Sequence, residues 1–221
     1  MTLRLYSYWR SSSAWRVRIG LGLKGLPYET RPVDLLALEQ YQPEHRARSP
    51  LAQIPVLEVE EGGPVRRLVQ SMAILEWLEE RFPAPPLLPA DPWGRARVRA
   101  LAEHVNSGIQ PLHNAVVLRT LREREPGSDK AWARRFVTEG LAGLERAVSD
   151  GGAGRFCHGD APGLADCYLV PQLAAARRFE VELSAFPALL RIEEACQALP
   201  AFQAAHAEHQ PDAPPPERRN R

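Results

Sequence analysis

Three consecutive serines, Ser11-Ser12-Ser13, stand ahead of an apolar-rich run, with Arg10 before them and Arg16 and Arg18 after. Hydroxyls in that place suit the start of a helix, where serine caps free N–H groups and the dipole favours an anion. A thiolate is such an anion, because a helix N-terminus lowers a thiol pKa and a neighbouring hydroxyl adds a hydrogen bond. Plain capping or a polar loop explains the same residues more simply. Gln53-Ile54-Pro55-Val56 opens a strand on a proline, which fits either a cis turn or an ordinary trans strand start. Gln70-Ser71 precedes an amphipathic run. As a cap, Ser71 would offer a docked carboxylate both N–H groups and a hydroxyl, and a purely structural cap is the simpler reading. Gly163-Leu164-Ala165-Asp166 places an acid where the third helical residue bonds back to its cap, a folding signal without chemistry.

Composition removes several function classes. Lys+Arg 28 against Asp+Glu 27 leaves a net charge of +1, so no basic field exists to hold a nucleic acid. No apolar run reaches the roughly 18 residues that span a bilayer, and Met1-Thr2-Leu3-Arg4-Leu5 is not the apolar start of a secretory leader. Cys157, Cys167 and Cys196 are odd in number and lack a CxxC pair. They predict neither a disulfide framework nor a metal site, but buried, reduced thiols in a cytoplasmic protein. At 221 residues and 44% hydrophobic, the chain suffices for one large or two small domains.

The elements that must position these residues divide the chain in two. Residues 3–6 alternate as a short strand, and 28–33 form a second extended segment that Pro32 demotes to an edge. Residues 56–59 and 65–69 flank Glu60-Glu61-Gly62-Gly63-Pro64 as a hairpin. Met72, Leu75, Leu78 and Phe82 recur at helical spacing. Residues 13–24 are ambiguous: Trp15, Val17, Ile19, Leu21 and Leu23 alternate with strand period, yet also make i, i+4 pairs. Periodicity alone favours strand there. Five prolines, Pro83, Pro85, Pro86, Pro89 and Pro92, then break the chain and mark a linker. Beyond it the spacing predicts helices over 93–124, 129–148, 164–179 and 187–198, and a tail with Pro211 and Pro214-Pro215-Pro216 that frays or lies extended.

Order and spacing together are more specific than any one signal. Tyr8-Trp9-Arg10-Ser11-Ser12-Ser13-Ala14-Trp15-Arg16-Val17-Arg18-Ile19 closely resembles the signature of the zeta-class glutathione transferases. The resemblance continues through Leu23-Lys24-Gly25, Gln53-Ile54-Pro55, Gln70-Ser71, Glu76-Trp77-Leu78-Glu79-Glu80, Leu87-Leu88-Pro89 and Gly108-Ile109-Gln110-Pro111-Leu112. It then reaches Leu164-Ala165-Asp166, Arg178-Phe179-Glu180-Val181 and Gln210-Pro211-Asp212. It implies an α/β plus all-α fold: a thioredoxin-like, glutathione-binding domain over 1–82 with 13–24 as its first helix, a proline-rich linker over 83–92, and an all-helical bundle over 93–221 that completes a substrate pocket. Glutathione is the implied cofactor. Ser11 matches the serine that activates its thiol, with Ser12 and Ser13 beside it, and Ile54 matches the backbone contact to the cysteinyl part before a cis Pro55. Gln70 and Ser71 match γ-glutamyl contacts, Gln40 a glycyl-end contact, and Gln110 and Asn114 contacts from the second domain. Arg10 and Arg178 match cationic positions that line an acidic substrate's pocket.

The implied reaction is the cis–trans isomerisation of maleylacetoacetate to fumarylacetoacetate in tyrosine and phenylalanine catabolism, by a homodimer. A thiolate added to the conjugated carbon of the cis-enedione leaves a single bond that rotates, and elimination returns the trans diacid. Ser11, Ser12 and Arg10 are the expected catalytic residues, with Arg10 and Arg178 clamping carboxylates. Maleylpyruvate isomerisation, glutathione transfer to haloacids and a non-catalytic interaction module are the alternatives. The module would have lost the serine cluster or the Gln-Ser pair, and both are kept. Among maleylpyruvate isomerases an arginine pair follows the position of Asn114, where this chain has Ala115-Val116. Ser13 stands where many relatives carry Cys, which argues against reductive dehalogenation. Gly163 replaces the usual Ser or Thr cap and predicts a cap weaker by a few tenths of a kcal/mol.

Overall fold

The structure, a computed structural model, describes residues 1–218. The last three residues of the expected helical domain, 219–221, lie outside the described residues. The chain packs as two units, 1–86 together with the segment from 199 onward, and 87–198.

In the first unit, β1 (Thr2–Ser7) buries Leu3, Leu5 and Ser7 on one face, as its alternation requires. It pairs in parallel with β2 (Glu29–Pro32) and antiparallel with β3 (Val56–Glu60), which in turn pairs with β4 (Arg66–Val69), giving the order β2-β1-β3-β4. Pro32 ends the edge strand, where no ladder hydrogen bond is lost. The parallel pair needs a crossover, and α1 (Ser12–Leu23) supplies it. The ambiguous segment is therefore helix, against its strand-like period. Every residue from Ala14 to Leu21 is buried, Arg16 and Arg18 included, so α1 has no polar face to give it a helical signature. Its neighbour α3 (Ser71–Arg81) buries Ile74, Leu75 and Leu78. Gly20 permits the close approach: a Cβ there would lie 2.2 Å from Leu75 Cδ2.

Two features of this unit were absent from the sequence reading. A short helix, α2 (Pro43–Arg46), follows a single 3-10 turn at Glu39–Tyr41. The segment from 199, expected in the helical domain, packs with the first unit instead. Its helix α9 (Pro200–Ala205) buries Phe202 and Ala205, sets Ala201 against Gly22 of α1 and accepts a bond from Arg18 Nε at Ala205 O, 3.1 Å. Lys24, at the end of α1, spends its ammonium on Glu79 Oε2 (2.6 Å) and the carbonyls of Phe82 (2.6 Å) and Pro85 (2.7 Å). That buried clamp fixes the start of the proline-rich stretch.

The second unit is helical: α4 (Pro92–Glu103), α5 (Ala115–Arg124), α6 (Ser128–Val148), α7 (Leu164–Arg178) and α8 (Pro187–Gln197). The single helix expected over 93–124 is broken. After α4 comes a π-helical turn at His104–Ile109, then a 3-10 turn at Gln110–His113. Pro111 cannot donate to a continuing helix, and Asn114 starts α5 afresh by accepting Val116 N–H at 3.1 Å. Cys157, Cys167 and Cys196 are free and buried, and burial pushes the thiols of Cys157 and Cys196 up. Among the described residues no helix is long and apolar enough to cross a membrane.

Candidate active site

Ser11 is the N-cap of α1. Its Oγ accepts Ala14 N–H at 3.3 Å, its carbonyl accepts Trp15 N–H at 2.9 Å, and its own N–H donates to Tyr8 O at 3.0 Å. The capping and functional readings of the serine cluster are compatible here. A hydroxyl that accepts at its oxygen still has a proton to donate, and the N–H groups of the first turn, those of Ser12 and Ser13 among them, have no partner one turn back. Ser11, Ser12 and Ser13 are each half-buried. The donor set at this end suits a thiolate.

The other end of the candidate cradle is built on α3. Ser71 is its first residue, 4% exposed, and its Oγ accepts a hydrogen bond from Arg16 Nη1 at 3.2 Å. A buried guanidinium thus reaches from α1 to the N-terminus of α3, so the dipole, the hydroxyl and a cation all favour a carboxylate there. Gln70 caps the helix with φ +71° and is exposed, its Nε2 donating to Gln53 Oε1 at 3.1 Å. The bond sets Gln70 beside the turn that carries Ile54. The Ile54–Pro55 peptide is cis, and the β3 ladder begins only at Val56.

That turn is held from inside the fold. Gln53 N–H donates to Ser49 Oγ at 3.2 Å, while His45 Nε2 meets Gln53 O at 3.0 Å. A carbonyl partner requires the proton on Nε2, which fixes the His45 tautomer. Gln40 sits on the 3-10 turn, 8% exposed, with its Oε1 buried and lacking a partner among the described residues. An orphaned acceptor of this kind fits a ligand N–H. Arg10 is half-buried and lies over the Trp9 ring, 5.3 Å from its centroid.

The second unit carries the remaining three expected residues and brings them to one region of that unit. Gln110 begins the 3-10 turn and Asn114 closes it. His113 between them is buried, bonds Gln172 Oε1 of α7 at 3.1 Å and packs on Phe179 with centroids 5.3 Å apart. Arg178, at the end of α7, is exposed and lies over Phe179 at 4.7 Å. Its neighbour Arg177 is committed elsewhere, gripping Glu193 through two bonds of 2.6 and 2.5 Å.

The sequence reading missed Arg16 and Arg18 as buried groups, and His45 and Ser49 as the supports of the Gln53 peptide. The one available signal was two arginines set between large apolar residues in Trp15-Arg16-Val17-Arg18-Ile19.

Known proteins share this architecture. Residues 1–80 match the family model "Glutathione S-transferase, N-terminal domain". A crystal structure of maleylacetoacetate isomerase from Anaeromyxobacter dehalogenans 2CP-1, with glutathione bound in its active site, superimposes with a TM-score of 0.91 at 71% identity, covering 96% of this chain and 98% of that one. A second structure of that protein holds dicarboxyethyl glutathione and citrate in the active site. The maleylacetoacetate isomerase of Pseudomonas aeruginosa is 47% identical over 96% of this chain and 99% of its own length. A bacterial zeta-class maleylpyruvate isomerase is 42% identical with a TM-score of 0.89, over 96% of this chain and all of that one (100%).

Proposed function

We propose that this chain, which belongs to the zeta-class glutathione transferase family, catalyses the glutathione-dependent isomerisation of maleylacetoacetate to fumarylacetoacetate. The observation that carries the proposal is the pair of helix N-termini in one unit, Ser11 on α1 and Ser71 on α3, tied together by buried Arg16. Bound glutathione supplies the thiolate that adds to, and later leaves, the conjugated carbon of the substrate. The chain's own residues do the rest. Ser11 donates its hydroxyl proton to the sulfur and the first turn of α1 holds the negative charge. Ser12 and Ser13 contribute N–H groups of that turn. Ser71, Gln70 and the N-terminus of α3 take the γ-glutamyl carboxylate, Ile54 offers its backbone to the cysteinyl part, and Gln40 takes the glycyl end. In the second unit, Gln110 and Asn114 are the residues assigned to glutathione. Arg10 and Arg178, each stacked on an aromatic ring, are the partners assigned to the carboxylates of the diacid.

The reading extends to a cytoplasmic homodimer that works in tyrosine and phenylalanine catabolism. Equilibrium sedimentation tests the dimer. The similarity to a maleylpyruvate isomerase supports a second reading in which that shorter diacid is preferred. Turnover of both substrates, each with and without glutathione, tests the activity. Isomerisation of maleylacetoacetate only when glutathione is present is the expected result. No turnover of either diacid by protein retained on immobilised glutathione would overturn it.

A further inference from the structure

The proposed chemistry leaves Arg18 and the Gln210-Pro211-Asp212 motif unused. We infer that the C-terminal segment 199–213 positions the loop that presents Ser11, with Arg18 and Asp212 as its positioning residues. This inference rests on the reading that Ser11 holds the glutathione thiolate. Ser11 is reached from β1 through Tyr8, Trp9 and Arg10, a loop with no ladder partner of its own. The N–H and C=O of Trp9 and the C=O of Tyr8 are met instead by these two side chains.

Trp9 N–H donates to Asp212 Oδ2 at 2.8 Å. Arg18, 1% exposed, donates through Nη2 to Trp9 O at 2.9 Å and through Nη1 to Ser7 Oγ at 2.9 Å and Tyr8 O at 3.4 Å. Tyr8 O also accepts the N–H of Ser11 at 3.0 Å, so one carbonyl joins Arg18 to the backbone of Ser11 itself. The remaining arm of Arg18, Nε, holds Ala205 O at the end of α9. The loop, α1 and the C-terminal segment therefore share one guanidinium. Burial pulls the Arg18 pKa down to about 10, with the Asp212 carboxylate acting in the other direction, and the group stays a cation at neutral pH.

The segment is itself tied down. Gln210 Nε2 donates to Ala204 O and His206 O, both at 2.9 Å, and Ala213 N–H closes a turn on Gln210 O at 3.0 Å. The His206 ring packs edge-on to Trp15 of α1 with centroids 4.9 Å apart. Asp212 is thus held on a folded support, and a rigid acceptor keeps the Ser11 hydroxyl where the sulfur sits. Small displacements of such a group cost rate steeply.

The experiment titrates the thiol of bound glutathione by its ultraviolet thiolate absorption and measures kcat, KM for glutathione and thermal stability. The proteins are wild type, Asp212→Ala, Asp212→Asn, Arg18→Lys and Ser11→Ala. Asp212→Ala is expected to raise the bound thiol pKa by about one pH unit and to lower kcat on the order of tenfold, with a smaller change in KM. Asp212→Asn keeps an oxygen to accept Trp9 N–H and is expected to restore both. Arg18→Lys, which loses the fork that reaches Tyr8 O and Trp9 O, shifts the thiol as Asp212→Ala does and serves if that variant does not fold. A wild-type thiol pKa and kcat in a folded Asp212→Ala protein, or equal damage in Asp212→Asn, overturns the inference. An unchanged thiol pKa in Ser11→Ala alone instead overturns the assignment of Ser11.

Discussion

A hydroxyl at a helix start has two uses, and Ser11 shows why they need not compete: capping uses the oxygen as acceptor and thiolate binding uses the proton as donor. Ser11→Ala removes a charge-assisted hydrogen bond worth roughly 1.5–3 kcal/mol, so kcat/KM should fall by about one to two decades. Circular dichroism should show the fold retained, and a wild-type kcat/KM would remove Ser11 from the mechanism. Ser71 differs, because its oxygen is an acceptor for buried Arg16. Ser71→Ala should raise KM for glutathione more than it lowers kcat, since the contact is remote from the sulfur. It should also cost about 1–3 kcal/mol of stability by taking an acceptor from a buried cation. Steady-state kinetics and urea denaturation of the one variant separate the two effects, and an unchanged KM would leave Ser71 a structural residue only. The serines and the Gln-Ser pair were legible in sequence because their chemistry is local to a helix start. Arg16 and Arg18 were not, because partners that hold them inside lie 55 and 187 residues away, at Ser71 and Ala205, beyond any local pattern.

Elements were legible where one face is wet. β1 alternates and its period shows the strand, whereas α1 is buried on every side and its period misleads. The break within 93–124 escaped because the composition of the stretch is helical and, after Gly94 in its first turn, only Gly108 and Pro111 interrupt it. Gly163 is a different case: its type predicts a weak cap, but the structure supplies a reason for it. A Cβ at Gly163 would stand 2.7 Å from Leu87 O, which already accepts Leu164 N–H at 2.8 Å, while Asp166 Oδ2 takes Gly163 N–H at 2.8 Å. Gly163→Ser should therefore destabilise by about 1–3 kcal/mol from crowding instead of strengthening the cap. A higher Tm in that variant would refute the crowding argument. The 150–160 loop adds a pH signature. Two Arg97 nitrogens hold Asp150, at 3.0 and 2.5 Å, and with Gly152 N–H pull its carboxyl down to about 2. A depressed folded pKa gives stability that is present above the unfolded value of about 3.9 and is lost as pH falls toward the folded one. Asp150 is 49% exposed, so the contribution is at most about 1 kcal/mol. Urea midpoints of wild type and Asp150→Asn should differ near neutral pH and converge as pH falls through that window. A constant gap would deny the linkage.

At the scale of the whole chain, the two units part after residue 86, and the C-terminal segment belongs to the unit that begins the sequence. No local pattern announces such a return. Its cause is the pairing of Ala201, Ala205 and Asp212 with α1 and the loop before it. Substrate choice also belongs to this scale, because it depends on which cations the folded chain leaves available. Maleylpyruvate is one methylene shorter than maleylacetoacetate, so its far carboxylate needs a differently placed partner. The family resemblance implies that an arginine pair at the start of α5 meets the shorter diacid, and this chain presents exposed Ala115 and Val116 there. The next arginine along α5, Arg119, lies about one turn on and faces Glu123 at 3.9 Å. Arg177 is held by both oxygens of Glu193, which is buried, so recruiting it would leave that carboxylate unpaired. A carboxylate at the start of α5 would thus lack charge-assisted bonds. We expect kcat/KM for maleylacetoacetate to exceed that for maleylpyruvate at saturating glutathione. Arginine introduced together as Ala115→Arg and Val116→Arg should narrow the ratio, on the order of tenfold if one bidentate contact worth about 1.4 kcal/mol is regained. Tenfold faster turnover of maleylpyruvate by the wild-type protein would reverse the substrate assignment while leaving the glutathione-dependent isomerisation in place.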